Sequence, residues 1–160
     1  MLFRSLRTNL QFIRPDNSPR VIAITSSLPG EGKTTTSVNL ALTLKQAGAK
    51  VVLVEGDLRR PKLRDYLGIN KETVGLSEIL SNYSKFGDPK EIKKVIKVVP
   101  EENLEVIASG AIPPNPAELL NSNAMTQLIA HLRAEYDYVV IDCPPLLPIT
   151  DGALIAAKSD

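Results

Sequence analysis

Residues 27–34 read Ser-Leu-Pro-Gly-Glu-Gly-Lys-Thr, a glycine-rich stretch ending in a lysine and a hydroxyl residue. Gly30 and Gly32 keep the backbone permissive, so that N–H groups can turn inward around an anion, and Lys33 adds a cation on a long stem. Such a loop wraps a chain of phosphates: the lysine reaches the β and γ phosphates, and the Thr34 hydroxyl binds Mg²⁺. The strict pattern has glycine where Ser27 stands, so the match is one position short. The plain alternative, a turn that happens to contain Gly-Lys-Thr, does not account for an apolar run before the loop and a helical pattern after it.

A phosphate loop needs acidic partners for the metal. Asp142 closes the apolar run Tyr138-Val-Val-Ile-Asp. There it either holds Mg²⁺, directly or through water, or caps a strand end. Glu55 and Asp57 follow the apolar run 50–54. Their carboxylates should emerge at the same carboxyl edge, where open α/β sheets bind ligands. For Asp57 the alternative is a turn residue before Leu58.

These groups need strands and helices to bring them together. Residues 20–25 form a short β-branched run, the loop follows at once, and 35–47 suits a long helix stopped by Gly48. Residues 50–54 and 104–109 predict two further strands, and 138–142 a fourth, stopped by Pro144 and Pro145. Helical spacing of Phe3, Leu6, Leu10 and Ile13 predicts an amphipathic helix over 2–13 that ends before Pro15. Short helices are predicted at 62–67, 76–83 and 91–96. Asn115, Pro116 and Glu118 read as a cap, a first-turn proline and a capping-box glutamate, so a helix should start at Pro116. Asp151 should open a last helix. Short apolar strands alternating with helices predict an α/β fold, three layers with a mainly parallel sheet covered on both faces, in one domain over 1–160.

Composition bounds the function. With 43% hydrophobic and 23% charged residues and a net charge of +1, the chain has ordinary globular usage and no global field for nucleic acid or anionic lipid. The segment 59–64, Arg-Arg-Pro-Lys-Leu-Arg, is a local basic cluster. Arg59 and Arg60 serve either structural or docking contacts near a nucleotide, or a solvated turn. The single cysteine, Cys143, cannot form an internal disulfide, which favours the cytoplasm. No apolar run of about 18 residues is present to span a membrane.

The succession Ser-Ser-Leu-Pro-Gly-Glu-Gly-Lys-Thr-Thr, Val-Glu-Gly-Asp-Leu-Arg-Arg-Pro, Gly-Ala-Ile-Pro-Pro-Asn-Pro-Ala-Glu-Leu-Leu and Tyr-Val-Val-Ile-Asp-Cys-Pro-Pro resembles the bacterial protein-tyrosine kinases of capsule and exopolysaccharide synthesis. These are relatives of the cell-division and partition ATPases. The resemblance covers nearly the whole chain. It implies a P-loop kinase that uses ATP and Mg²⁺ and phosphorylates itself and other proteins on tyrosine. Pro29, Gly30, Glu31, Gly32, Lys33, Thr34 and Thr35 would then bind the nucleotide. Lys33 would stabilise the transferring phosphoryl group, and Thr34, Asp57 and Asp142 would serve the metal. The family's first acidic position in the second motif, usually aspartate, is Glu55 here, a candidate for activating the attacking tyrosine hydroxyl.

By the same resemblance, Arg4 and Arg7 belong to a Glu-x-x-Arg-x-x-Arg motif for ring assembly, whose glutamate position is Met1 here. As residues alone, the two arginines read equally as a solvated helix face. Relatives continue past Asp160 with further strands and a tyrosine-rich tail. The domain is therefore expected to be truncated at its C-terminus, with the missing strand beside the P-loop strand. A membrane-bound polysaccharide co-polymerase, or a fused transmembrane segment, is the implied activator, which would place the domain at the inner face of the plasma membrane. The main rival is a partition-type ATPase switch with water as acceptor, although those proteins carry an extra lysine early in the loop and Ser26-Ser27-Leu28-Pro29 has none. A regulatory module that binds ATP and acts by assembly is a third reading. His131 and Cys143 read as packing residues, and Tyr66, Tyr83, Tyr136 and Tyr138 are too scattered to form a phosphorylated tail.

Overall fold

The structure, a computed structural model, describes residues 2–13, 16–71 and 73–160. Pro15 and Met1, named above, lie outside them. The helices are α1 (Leu2–Ile13), α2 (Lys33–Gln46), α3 (Leu63–Tyr66), α4 (Leu76–Ser81), α5 (Tyr83–Phe86), α6 (Pro89–Val95), α7 (Pro116–Asn121), α8 (Asn123–Glu135) and α9 (Asp151–Ala156). The strands are β1 (Val21–Ile24), β2 (Val51–Glu55), β3 (Lys97–Val99), β4 (Leu104–Ile107) and β5 (Tyr138–Asp142).

They form one sheet in the order β1-β5-β2-β4-β3. The first four run parallel, with Val21 opposite Val139, Val51 opposite Tyr138 and Val52 opposite Glu105. Parallel strands need crossover helices, and these cover both faces, so the central strands are apolar throughout rather than alternating. β2 is buried along its whole length. Val52 and Val54 join Val139, Ile141 and Ile107 in a core under α4 and α6 to α9. Val51 and Leu53 join Val140 and Val106 in a second core under α2 and α3, where Leu6 and Leu10 of α1 also pack.

Three local expectations differ from the structure. The strand β3 has no counterpart among the predicted strands, because a three-residue antiparallel edge strand with Lys97 and Val98 exposed carries no pattern of its own. The helix expected over 76–83 breaks at Asn82, whose φ of −137° and ψ of 62° end α4 before α5 begins. At α7 the proline stands in the first turn, but no capping box forms: the Asn115 amide donates to Glu118 Oε2 at 3.0 Å instead of either side chain capping the backbone.

β1 is an edge strand with β5 on one side only. At its other side the Asp160 carboxylate accepts the Arg20 and Val21 N–H groups at 2.8 and 3.0 Å, and the Asp160 N–H donates to the Val21 carbonyl.

Candidate functional site at the carboxyl edge of the sheet

The loop between β1 and α2 turns through Gly30 and Gly32, both at φ 82°, a left-handed region that side chains disfavour. Glu31 fixes the loop by accepting the Leu28 N–H at 3.0 Å, and the Ser26 hydroxyl donates to the Leu28 carbonyl at 2.7 Å. Lys33 and Thr34 are the first residues of α2, two positions before the sequence predicts the helix. A 14-residue helix with no acidic residue in its first turn presents its positive dipole end at this point.

Asp142, 3% exposed, comes from the end of β5 to meet this helix start. Its Oδ2 accepts the Thr34 hydroxyl at 2.8 Å, and its Oδ1 lies 3.1 Å from the Ser37 hydroxyl. Ser37 is fully buried and has one proton for two acceptors, the second being the Lys33 carbonyl at 2.9 Å. The sequence reading passed over Ser37. Its signal is spacing, since three residues after Thr34 it must share that residue's helix face. Burial pushes the Asp142 carboxyl above its ordinary range, while the Thr34 and Ser37 hydrogen bonds and the Lys33 charge act in the opposite direction.

Asp57 turns into the same cleft. Its Oδ1 accepts the Arg59 and Arg60 N–H groups at 3.2 and 3.0 Å, a local turn that orients the carboxylate. Lys33, Thr34, Asp57 and Asp142 line one cavity of about 330 Å³, which Pro29 and Gly30 also border. A shallower cavity of about 230 Å³ continues over Gly32, Thr35, Lys62 and Tyr66. Glu55 is not among the lining residues. It is fully buried, and its oxygens accept the Leu63 N–H at 2.6 Å and the Ser109 N–H at 2.9 Å.

Both arginines border the cavity, and the Arg59 guanidinium also pairs side-on with the buried Asp151 at the start of α9, at 2.7 and 3.1 Å. Arg4 and Arg7 sit on α1, whose Leu6 and Leu10 pack beneath α2, apart from this cleft. Among the described residues no three His, Cys, Asp or Glu side chains group as a metal site, so His131 has no such set around it. Cys143 is buried beside the cavity, and burial pushes its thiol far up.

A hydroxyl and a carboxylate at the positive end of a helix make an oxygen donor set of the kind that holds Mg²⁺ with substrate phosphates. Fold and loop together define a P-loop phosphate-binding domain of the α/β class. A family model described as an AAA domain matches residues 19–159. Tyrosine-protein kinase YwqD of Bacillus subtilis (strain 168) is 39% identical over 158 residues, 99% of this chain, and the chain spans 64% of that relative's length. The kinase domain of Escherichia coli tyrosine kinase ETK superposes with a TM-score of 0.87 at 35% identity, over 98% of this chain and 58% of that one. The septum site-determining protein MinD complexed with Mg-ADP, from Pyrococcus horikoshii OT3, gives 0.68 at 28% identity, over 88% of this chain and 54% of that one. The chain thus belongs to the AAA-domain family, and the relatives it is similar to include bacterial tyrosine kinases.

Proposed function

We propose that this chain is the catalytic domain of a bacterial protein-tyrosine kinase that transfers the γ-phosphoryl group of ATP to tyrosine, in itself and in other proteins, to regulate capsule or exopolysaccharide synthesis. The observation that carries the proposal is the convergence of Lys33, Thr34, Asp57 and Asp142 on one cavity at the helix start. The α2 dipole, Gly30, Gly32 and the neighbouring backbone bind the phosphates, with Pro29, Glu31 and Thr35 completing the nucleotide-binding set. Lys33 neutralises charge that builds on the transferring group. Thr34, Asp142 and Asp57 would hold Mg²⁺, which supplies charge neutralisation at the β and γ oxygens. In such a transfer little covalent work falls to the protein, so placement of these groups sets the rate.

A membrane-bound co-polymerase is the proposed activator, and assembly through Arg4 and Arg7 the proposed oligomeric contact. Among the described residues no helix is long and apolar enough to cross a membrane. Likeness to a MinD structure supports a second reading, an ATPase switch with water as acceptor. The loop favours the kinase because Ser26-Ser27-Leu28-Pro29 lacks the early lysine.

Incubation of the intact protein with γ-labelled ATP, Mg²⁺ and a tyrosine-rich acceptor peptide separates the readings. Label on tyrosine that falls on the order of 10²–10³-fold in Lys33→Ala is the expected result. Free phosphate without labelled tyrosine would assign the switch instead.

A further inference from the structure

Glu55 occupies the position from which a carboxylate would be expected to face an incoming tyrosine, yet it is 0% exposed. Its two oxygens are spent on two backbone donors from different elements: Leu63 N–H, which opens α3, and Ser109 N–H, just past β4. A general base must come within hydrogen-bond reach of the proton it takes. Glu55 could do so only by leaving both N–H groups unpaired in the interior, which the fold strongly resists.

The same geometry gives Glu55 another task. Residues 56–62 form the loop that carries Asp57, and Glu55 stands at its start while its carboxylate holds Leu63 at its end. Gly56 is fixed from the other side, its N–H donating to the Asp142 carbonyl at 2.8 Å. Leu58 and Leu63, 1% and 0% exposed, anchor the loop in the two cores. Asp57 is then left as the acidic group of this motif that borders the cavity. Glutamate has the reach to span from the strand end to both donors, and aspartate is one methylene shorter.

We propose that Glu55 is a positioning residue: its buried carboxylate closes the 56–62 loop against β4 and so aims Asp57 at the metal and the acceptor hydroxyl. The assignment rests on the kinase reading for its consequence in catalysis, but the fastening itself does not.

The test uses the intact protein with Glu55→Gln beside Asp57→Asn. Glutamine offers one acceptor oxygen where two are needed and turns an amide NH₂ toward a backbone N–H. Expected in Glu55→Gln is faster hydrogen exchange at the Leu63 and Ser109 amides by about tenfold or more. Its KM for Mg-ATP rises, and kcat keeps the pH dependence of the wild type. Asp57→Asn lowers kcat without changing exchange at either amide. A kcat loss in Glu55→Gln on the order of 10²–10⁴-fold with the acid limb of the pH profile gone, at unchanged KM and unchanged exchange, would overturn the proposal and make Glu55 the base. Should Glu55→Gln not fold, exchange in the wild type decides. Protection of both amides at the level of global unfolding supports the fastening, and fast exchange refutes it. A protein that transfers nothing to tyrosine would sink the kinase reading alone, since amide exchange and the affinity for Mg-nucleotide are measured without turnover.

Discussion

The Thr34 hydroxyl donates to the Asp142 carboxylate at 2.8 Å across 108 residues of sequence, tying the start of α2 to the end of β5. This contact joins the phosphate side of the cleft to its metal side. Thr34→Ala should therefore raise the Mg²⁺ concentration for half-maximal transfer by about tenfold or more, with a stability change near 1 kcal/mol for one hydrogen bond. Thr34→Ser should recover most of it. A Mg²⁺ titration of labelled transfer checks both, and an unchanged midpoint in Thr34→Ala would remove Thr34 from the metal site.

Asp142 is held against its ordinary titration. Burial raises its pKa, and a carboxylate whose pKa is raised by folding costs stability when ionised; that cost fades as pH falls through the raised value. Asp142→Asn removes the charge and keeps the shape. The nucleotide-free protein should melt higher at pH 7, about 2–4 °C for each kcal/mol in a chain of this size. The gain should shrink on acidification, where the wild type is also neutral, and Mg²⁺-dependent transfer should be lost. Calorimetry across pH tests the sign: a gain that grows as pH falls contradicts it.

The Arg59–Asp151 pair is lopsided, its side chains being 41% and 1% exposed. Losing the arginine strands a buried carboxylate, whereas losing the aspartate lets the guanidinium turn to water. Arg59→Ala should thus destabilise more than Asp151→Ala. Removing one partner of a fully buried pair costs about 3–5 kcal/mol, and solvent around Arg59 reduces the expectation here to about 1–3 kcal/mol. Urea unfolding of both single variants and the double variant measures the order and the coupling.

Gly110 stands at φ 79°, and a side chain there would run into the Glu78 carboxylate. That carboxylate accepts the Gly75 N–H at 2.8 Å and the Ala111 N–H at 2.9 Å. Gly110→Ala should cost about 1–3 kcal/mol through backbone strain and displacement of Glu78. Thermal unfolding that matches the wild type would show that the loop after β4 yields freely.

Much of this was legible because it is written in local pattern. The glycines beside Lys33 and Thr34 and the apolar runs at 50–54, 104–109 and 138–142 impose loop, strand and alternation by short-range sterics and burial. Pro116 and Gly48 mark helix ends for the same reason. The strand β3 was not legible, since three residues, two of them exposed, become a strand only by pairing with β4. The capping box at Asn115 failed because its two side chains bond each other instead of the backbone.

By itself, then, the sequence determined the fold class, the phosphate loop and the set of acidic residues that reach the carboxyl edge, because these follow from residue type and spacing within a few positions. Only the tertiary structure decided how those acids are used. Asp142 meets Thr34 and Ser37, Arg59 is taken by Asp151, and Glu55 is spent on Leu63 and Ser109, because each depends on a donor brought from a distant segment by the packing of the sheet.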